Sequence, residues 1–380
     1  MADTSPQPSP HCSPTRNAER EAPSAIRHPR PRQSGAAAGC PVFLAGPTAV
    51  GKSEIALRLA EKIGGEIISV DSMQVYRGLD IGTAKPTAAE RARVPHHLID
   101  VCELSEAFDA AQFISLAQKA VAEIQSRNQT PVFCGGTGLY FKAFLDGLGN
   151  APATDANLRA ELEAAPLEKL LEELRTSVLA TFEKIDRQNP RRVIRAVEVI
   201  RLTGKKFSEQ RAEWKSANED GRLRMEDGRH LTPALSPLLA DSQRGEGAAP
   251  SSILRPPSSP MICFTRSPDD LHRRINARVD EMFRRGLVAE TERLWKRGLA
   301  ENKFAMQAIG YRQVVEHLRG ERGLAETIEL VKIRTRQFAK RQLTWFRRHG
   351  NCEWIDLKHG ETVAETVAKI GFNERGNDVG

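Results

Sequence analysis

The chain of 380 residues carries 56 lysine and arginine residues against 49 aspartate and glutamate residues, a formal net charge of +7. This length suffices for a full α/β core and a second small domain, and the basic balance suggests a polyanionic partner. Because the six cysteines form no Cys-x-x-Cys pair and no apolar run approaches the roughly 18 residues of a membrane span, we expect a reduced, cytoplasmic protein without zinc, disulfides or membrane contact.

The N-terminal stretch 1–40 differs from the rest of the chain in composition. It is rich in proline, serine, alanine and arginine and contains almost no large apolar residues. Such a segment buries too little surface to offset its conformational entropy, which predicts a disordered tail. A mitochondrial transit peptide is the alternative for an arginine-rich start, but Asp3, Glu19, Glu21 and several prolines argue against the amphipathic helix that it requires.

A glycine-bounded loop, GPTAVGKS, follows the first strand-like run. The apolar run over 42–45 predicts a strand, and apolar residues at helical spacing over 52–63 predict a helix that Gly64 ends. In such a loop the backbone N–H groups surround phosphate oxygens, Lys52 reaches them, and the Ser53 hydroxyl holds a magnesium ion. The alternative, a chance match in a glycine-containing turn, is disfavoured by this strand and helix. The predicted phosphate-binding residues are Gly46, Pro47, Thr48, Ala49, Val50, Gly51, Lys52 and Ser53.

Strand and helix patterns alternate over 41–147, the predicted first part of the core. The predicted strands cover 42–45, 66–70 and 131–134, and the predicted helices cover 52–63 and 110–126. This alternation predicts an α/β fold with a parallel sheet and helices on both faces. Ligands of such sheets bind at the carboxyl ends of the strands.

Two side chains are predicted to stand at that edge beside the loop. Asp71 directly follows the second strand, where a carboxylate holds magnesium or orients water in a hydrolase and takes a proton from the acceptor in a transferase. A turn cap is the alternative. The third strand ends in glycines and Thr137 with no acidic residue, which disfavours a hydrolase. Glycine lets backbone approach a ligand, and Thr137 offers a neutral hydroxyl, although a tight strand-to-helix turn explains these residues as well.

The remaining chain divides into segments of different composition. Charged, short amphipathic stretches over 148–188 predict a small helical insertion that can move as a lid. They are followed by a predicted core helix within 189–216 and by a stretch without periodicity over 217–260, which predicts a disordered insert. The core continues over 261–357 with the strand-like MICFTR and basic helices, and 358–380 form a C-terminal helix and tail.

The predicted core helix carries two arginines on one face. Asn189 and Pro190 suit its start, and Gly204 suits its end. Arg192 and Arg195 lie three residues apart and therefore share a polar face. That face is either a polyanion contact or an ordinary solvated surface.

The C-terminal helix is more basic. The segment 331–349 contains seven basic residues and no aspartate or glutamate, and Val331, Phe338 and Phe346 are predicted to face the core. Positive charges without negative neighbours repel one another unless a polyanion neutralises them. This favours a surface that binds a phosphate backbone over one that is merely solvated. The basic residues are Lys332, Arg334, Arg336, Lys340, Arg341, Arg347 and Arg348.

Six motifs together resemble the bacterial tRNA dimethylallyltransferases. They are GPTAVGKS at 46, VDSMQVYRGLDIGTAKP at 70, PHHLIDV at 95, GGTGLYFKA at 135, IGYRQ at 309 and RTRQFAKRQLTWFRR at 334. The resemblance covers about 41–216 and 261–357, whereas the tail and the 217–260 insert depart from it. It implies a P-loop kinase-like core with a helical insertion, which moves a dimethylallyl group from its diphosphate to N6 of adenosine 37 of tRNA.

The resemblance also implies roles for single residues. Asp71 is the base beside N6, Thr137 contacts the bridging oxygen of the diphosphate, and Lys52 with Mg²⁺ on Ser53 holds that diphosphate. Arg191 stands where the family often has glutamine. The implied tRNA-contacting residues are Asp71, Ser72, Met73, Gln74, Arg191, Arg192, Arg195, Gly310, Tyr311, Arg312, Arg334, Arg336, Lys340 and Arg341. The expected partners are the tRNA anticodon loop and dimethylallyl diphosphate, and we expect a monomer.

Two rival functions use the same features. A small-molecule or nucleoside kinase would bind ATP at the loop, but the basic C-terminal helix and the GGTG sequence disfavour it. A non-catalytic RNA-binding module would carry the loop as a relic, but the intact Lys52, Ser53, Asp71 and Thr137 disfavour that function.

Overall fold

A computed structural model of the chain describes residues 39–148, 152, 155–204, 261–349 and 352–370. Most of the tail predicted over 1–40 and the whole insert predicted over 217–260 lie outside the described residues, as do 371–380. Within the described ranges the chain forms one six-stranded parallel sheet and a set of helices.

Six strands form one parallel sheet. They are β1 (Val42–Ala45), β2 (Gly65–Val70), β3 (His96–His97), β4 (Thr130–Gly135), β5 (Met261–Thr265) and β6 (Cys352–Asp356). Their order is β3-β2-β4-β1-β5-β6, and every neighbouring pair is parallel. The predicted parallel α/β fold is therefore confirmed, and each predicted strand is found within one residue of its predicted ends.

Helices follow the strands, and some of them cover the sheet whereas others pack against one another. They are α1 (Lys52–Ile63), α2 (Ala88–Arg93), α3 (Ala110–Ser126), α4 (Gly138–Asp146), α5 (Ala156–Ala164), α6 (Leu167–Ser177), α7 (Leu179–Lys184), α8 (Pro190–Thr203), α9 (Pro268–Arg284), α10 (Leu287–Trp295), α11 (Tyr311–Leu318), α12 (Leu324–His349) and α13 (Val363–Lys369). Short 3-10 turns cover Leu299–Glu301 and Ala305–Gln307. The helices predicted over 52–63 and 110–126 have those bounds, and Gly64 ends α1 in the left-handed region, with φ 64°.

The side chains of β1 alternate between two hydrophobic cores, one on each face of the sheet. Val42 and Leu44 pack with residues of α1 and α9, whereas Phe43 and Ala45 pack with residues of α3, α4, α10 and α11. Successive residues of a strand point to opposite faces, so a strand that is apolar at every position is buried on both. This double burial fixes the strand ends at which the candidate site lies.

A third hydrophobic cluster holds the helical insertion together. It joins Leu162 of α5, Leu170 and Leu174 of α6, and Val193 and Val197 of α8. The interpretation of 189–216 as a core helix is therefore corrected: α8 buries its apolar stripe against α5 and α6, not against the sheet. The stripe itself was predicted, but its periodicity does not say which surface it covers.

Candidate active site

Three strands end side by side beneath the glycine loop. Gly135 of β4 is in register with Ala45 of β1 on one side and with Val70 of β2 on the other. The next residues of the outer two strands, Gly46 and Asp71, therefore leave the sheet at the same edge. The structure thus brings the predicted phosphate loop and the predicted base together.

Two arginines hold the loop from outside. The Nε atom of Arg266 donates to the carbonyl oxygen of Val50 at 2.8 Å, and Nε of Arg274 donates to that of Ala49 at 2.9 Å. In a planar trans peptide the C=O and N–H groups point in opposite directions, so the N–H groups of Val50 and Gly51 point away from these arginines. The arginines therefore leave these amide hydrogens unused, and the motif predicts that they bind an anion. Sequence analysis did not identify either arginine.

Charged groups converge next to the loop. Burial lowers the pKa of Lys52; the nearby Cys134 thiol opposes this shift, Arg278 reinforces it, and Asp71 opposes it. Burial likewise lowers the pKa of Arg278, and Asp71 opposes that shift. Among the described residues Arg278 has no hydrogen-bond partner. Because two cations lie near a single carboxylate, this pocket has the excess positive charge that a diphosphate requires.

Burial also changes the character of the thiol in this pocket. It raises the pKa of Cys134 to about 11, with Lys52 opposing the shift and Asp71 reinforcing it. Cys134 is therefore a protonated, unreactive thiol at neutral pH. Its proximity to Lys52 is a packing feature of the pocket floor.

Asp71 uses its two carboxylate oxygens differently. Oδ1 accepts from the backbone N–H groups of Met73 at 2.9 Å and Gln74 at 3.3 Å, whereas Oδ2 accepts no hydrogen bond from the described residues. The N–H of Ser72 donates to Oγ1 of Thr137 at 3.1 Å, which ties the two predicted catalytic residues together. The predicted turn cap is thus present, and it leaves one oxygen available to accept a proton.

The GGTG sequence accommodates α12. A Cβ atom on Gly136 would lie 2.2 Å from Nε2 of Gln342, and one on Gly138 would lie 2.2 Å from the Trp345 ring, so a larger residue at either position would displace the facing side chain of α12. Gln342 accepts from the N–H of Thr48 at 2.8 Å and donates to the carbonyl oxygen of Gly136 at 2.9 Å. The close backbone approach expected here is therefore made toward a helix, and Gln342 joins the phosphate loop to the end of β4.

The basic face of α12 is exposed. Arg334, Lys340, Arg341, Arg347 and Arg348 are all exposed, and none has an acidic partner within the part of the chain that the structure describes. Their mutual repulsion is thus not relieved by carboxylates of the described residues, as expected of a surface that binds a polyanion.

Two details of α12 differ from expectation. Phe338 is 37% exposed, whereas Val331 and Phe346 are buried, because the buried face is centred on Ala339 and Phe338 lies at its rim. Arg336 is half-buried, and its guanidinium donates to the side chain of Asn276 at 2.9 Å. Its predicted contact with RNA therefore competes with an internal hydrogen bond.

The arginines of α8 differ in availability. Arg192 is exposed, with its guanidinium 3.8 Å from the carboxylate of Asp186. Arg195 donates to buried Glu198 at 2.8 Å and to the carbonyl oxygen of Pro152 at 2.6 Å. Arg195 therefore stabilises the helical insertion from within, and of the two only Arg192 presents its charge freely to a ligand.

Arg191 links the helical insertion to the core. Its guanidinium donates to Oε1 of Gln307 at 2.5 Å and lies 5.7 Å from the centre of the Phe304 ring. A second link joins Nζ of Lys303 to the carboxylate of Glu163 at 2.8 Å. Both links are exposed ion or hydrogen-bond contacts, which are weak individually.

The residues around Gly310 that are predicted to contact RNA also differ in exposure. Arg312 is exposed, with its guanidinium 3.1 Å from the carboxylate of Glu316, and Gly310 adopts φ 103° before α11. Tyr311 has 0% exposed surface. The predicted contact between Tyr311 and RNA is therefore corrected, since a residue without exposed surface cannot touch a macromolecular ligand.

The described ranges of the chain contain no group of three or more His, Cys, Asp or Glu side chains that could hold a metal ion. No helix within them is long and apolar enough to cross a membrane.

A parallel α/β sheet whose first strand runs into a glycine-bounded, lysine-containing loop defines the chain as a P-loop protein. A family model described as IPP transferase matches residues 74–349. The chain belongs to that family.

Relatives and solved structures agree with this assignment. A tRNA dimethylallyltransferase 1 from Trichlorobacter lovleyi is 39% identical over 335 residues, which cover 87% of this chain and 98% of the relative. A tRNA dimethylallyltransferase from Halorhodospira halophila is 45% identical over 307 residues, covering 80% and 88%. The crystal structure of a tRNA isopentenylpyrophosphate transferase from Bacillus halodurans has a TM-score of 0.58 at 36% identity, covering 87% and 94%. A eukaryotic dimethylallyltransferase solved acting on tRNA has a TM-score of 0.63 at 26% identity, covering 87% and 78%.

Proposed function

We propose that this chain transfers the dimethylallyl group of dimethylallyl diphosphate to N6 of adenosine 37 in tRNA and releases diphosphate. The observation that carries the proposal is that the glycine loop, Lys52 and Arg278, which together we call the cradle, lie beside Asp71, whose Oδ2 accepts no hydrogen bond from the described residues. This arrangement suits a reaction that needs a stabilised leaving group and a nearby base. We propose that the reaction takes place in the cytoplasm.

The cradle stabilises the leaving group. As the bond between the allylic carbon and the diphosphate oxygen breaks, negative charge grows on the diphosphate. Preorganised donors are most effective where charge develops in this way. In our proposal the N–H groups of the loop, Lys52 and Arg278 supply these donors, and the Thr137 hydroxyl serves the bridging oxygen.

In our proposal Asp71 is the base that takes the proton from the acceptor amine. The lone pair of the adenine amine is delocalised into the ring, which makes N6 a poor nucleophile. As N6 bonds to the allylic carbon, Oδ2 of Asp71 takes the proton that N6 loses. The hydrogen bonds from Met73 and Gln74 to Oδ1 hold the carboxylate in orientation during this transfer.

The donor set of the loop fits a magnesium ion that the diphosphate brings with it. Mg²⁺ keeps several waters and binds through few protein groups together with substrate phosphates. Ser53 is exposed at the start of α1 and offers one hydroxyl, in keeping with the lack of a carboxylate cluster among the described residues. The ion would neutralise part of the charge on the diphosphate.

The basic face of α12 supports tRNA as the acceptor. Its exposed arginines and lysine fit a phosphate backbone, and adenosine in a single-stranded loop leaves its stack at lower cost than in a duplex. We expect the active protein to be a monomer.

The test incubates the protein with unmodified tRNA, Mg²⁺ and dimethylallyl diphosphate and measures the mass of the digested nucleosides. We expect a dimethylallylated adenosine from the anticodon loop. Incubation with ATP and free nucleosides is the control. Phosphorylated nucleosides in that control, without prenylated adenosine in the first reaction, would establish the rival kinase function. Binding of tRNA without either product would establish the non-catalytic one.

A further inference from the structure

The side chain of Gln74 ties Asp71 to a distant turn. Its backbone N–H donates to Oδ1 of Asp71, and its Nε2 donates to the carbonyl oxygens of Thr83 at 3.1 Å and Ala84 at 3.4 Å. Its Oε1 accepts from the hydroxyl of Ser69 at 2.8 Å. The amide is thus used entirely within the protein, so the position of the turn at 81–84 determines that of Gln74 and, through it, of the carboxylate.

Two buried side chains from α10 and α11 hold the same turn. The N–H of Gly82 donates to the phenol oxygen of Tyr311 at 3.1 Å, and that phenol donates to Oε1 of Glu290 at 2.6 Å. Both carboxylate oxygens of Glu290 accept from the N–H of Ile81, at 3.0 and 3.1 Å. Glu290 is 5% exposed and Tyr311 has no exposed surface, so water does not compete for these bonds.

The phenol is a permanent donor in this cluster. Burial raises the pKa of Tyr311, and the adjacent Glu290 carboxylate raises it further. The proton therefore stays on Tyr311 at all physiological pH values. The ring also touches the turn directly, because a Cβ atom on Gly82 would lie 2.4 Å from its edge.

From these contacts we propose that Tyr311 and Glu290 are positioning residues for the transfer reaction. They fix the turn at 81–84, the turn fixes Gln74, and Gln74 orients the Asp71 carboxylate toward the acceptor amine. This inference rests on the proposed function. It gives the buried tyrosine of the IGYRQ motif a role that does not require contact with RNA.

When the phenol hydroxyl is removed, the segment around the turn at 81–84 is still held by other contacts. The ammonium group of Lys85 donates to the carbonyl oxygen of Tyr76 at 2.6 Å and to the carboxylates of Asp80 at 2.8 Å and Asp100 at 2.5 Å. Tyr311→Phe keeps the ring against Gly82 and removes only the two hydrogen bonds of the oxygen. We therefore expect this variant to fold.

The test measures the single-turnover rate of transfer at saturating tRNA and donor. We expect Tyr311→Phe to slow the chemical step by about 10-fold, because a small misplacement of a reacting group has a large effect on rate. Dissociation constants for tRNA and for the donor should change less than about twofold. Glu290→Gln should slow the same step, and the two changes together should cost less than the sum of their separate effects, since they disrupt one cluster.

Thr291→Val is the matched control. Thr291 has no exposed surface, lies on the same helix as Glu290, and donates its hydroxyl to the carbonyl oxygen of Leu287 at 2.7 Å, with no hydrogen bond to the turn at 81–84. It should lower the melting temperature without slowing the chemical step at a temperature well below melting.

Three results would overturn the inference. The first is a wild-type rate for Tyr311→Phe. The second is a loss of rate matched by an equal loss of tRNA affinity, which would indicate an RNA contact. The third is an equal slowing by Thr291→Val, which would indicate general destabilisation. A wild-type protein that forms no prenylated adenosine in the same assay would instead refute the proposed function, on which the inference depends.

Discussion

At the scale of single residues, the split use of the Asp71 oxygens allows its two roles to be separated. Asp71→Asn keeps an oxygen that can accept from Met73 but loses the base. We expect transfer to slow by about 100-fold or more in single-turnover measurements, with tRNA affinity nearly unchanged. Asp71→Ala should be at least as slow. A variant that transfers at a comparable rate would exclude Asp71 as the base.

Arg278 gives a second prediction at this scale. We expect Arg278→Ala to raise the inhibition constant of inorganic diphosphate and to slow transfer by about 100-fold, because it removes a half-buried cation from the cradle. Arg273→Ala is the control. Its guanidinium on the same helix pairs with Asp270 at 2.7 Å and is 60% exposed. Equal inhibition constants for Arg278→Ala and the control would place Arg278 outside the diphosphate site.

The candidate-site residues that lie within a local motif could be predicted from the sequence. Lys52 and Asp71 stand at fixed offsets from a strand end, so spacing alone placed them at one edge of the sheet. Arg278 and Gln342 arrive from α9 and α12, more than 200 positions along the chain, and only tertiary packing brings them to the loop. No local pattern distinguishes them from other polar residues of basic helices.

At the scale of elements, α12 carries the prediction for RNA binding. The double substitution of Arg334 and Arg341 to alanine should weaken tRNA binding and reduce the slope of log affinity against log salt by about 1.4, since each lost phosphate contact of a single strand contributes about 0.7. Titrations at several salt concentrations measure this slope.

The control for that experiment lies on the same helix. Lys332→Ala removes a basic residue whose ammonium group already pairs with Asp280 and Glu329, both at 2.8 Å. We expect its salt slope to match that of the wild type. A slope for the double variant that equals the control would show that α12 does not bind RNA through these arginines.

Long elements were predicted well because their periodicity extends over several turns. α1 and α3 have the predicted bounds, whereas β3 and β6 were missed. β3 has two residues, and β6 is largely exposed or half-buried, so neither shows an apolar pattern. Both lie at the edges of the sheet, where one side of the strand has no partner strand.

At the scale of the whole molecule, a buried carboxylate far from the loop links stability to pH. Burial would raise the pKa of Glu66, but the hydrogen bonds from His97 and Arg127 hold it at about 2, below its ordinary value of 4.5. A carboxylate with a depressed pKa stabilises the folded state above pH 4.5, and this stabilisation is lost as the pH falls toward 2. The contribution is about 3 kcal/mol at neutral pH.

Glu66→Gln tests this linkage. We expect the variant to be less stable than the wild type at neutral pH, and its free energy of unfolding to fall less between pH 5 and pH 3. Denaturant titrations at both pH values measure the difference. Parallel acid dependence in the two proteins would assign the acid sensitivity to other carboxylates.

The architecture as a whole followed from the sequence except for the partners of its amphipathic surfaces. The alternating pattern gave the parallel sheet, and the charged stretches gave the helical insertion. The apolar stripe of α8 did not reveal that it covers α5 and α6, because a stripe specifies how much surface is buried but not against which element.

The helix α12 faces both substrates of the proposed reaction. On its buried side Gln342 bridges the phosphate loop and the end of β4. On its exposed side Arg334 and Arg341 are available to bind a polyanion. If α12 shifts when tRNA binds, Gln342 moves with it, and the position of the phosphate loop changes. By thermodynamic reciprocity, any factor by which bound tRNA changes the affinity for the donor is also the factor by which bound donor changes the affinity for tRNA.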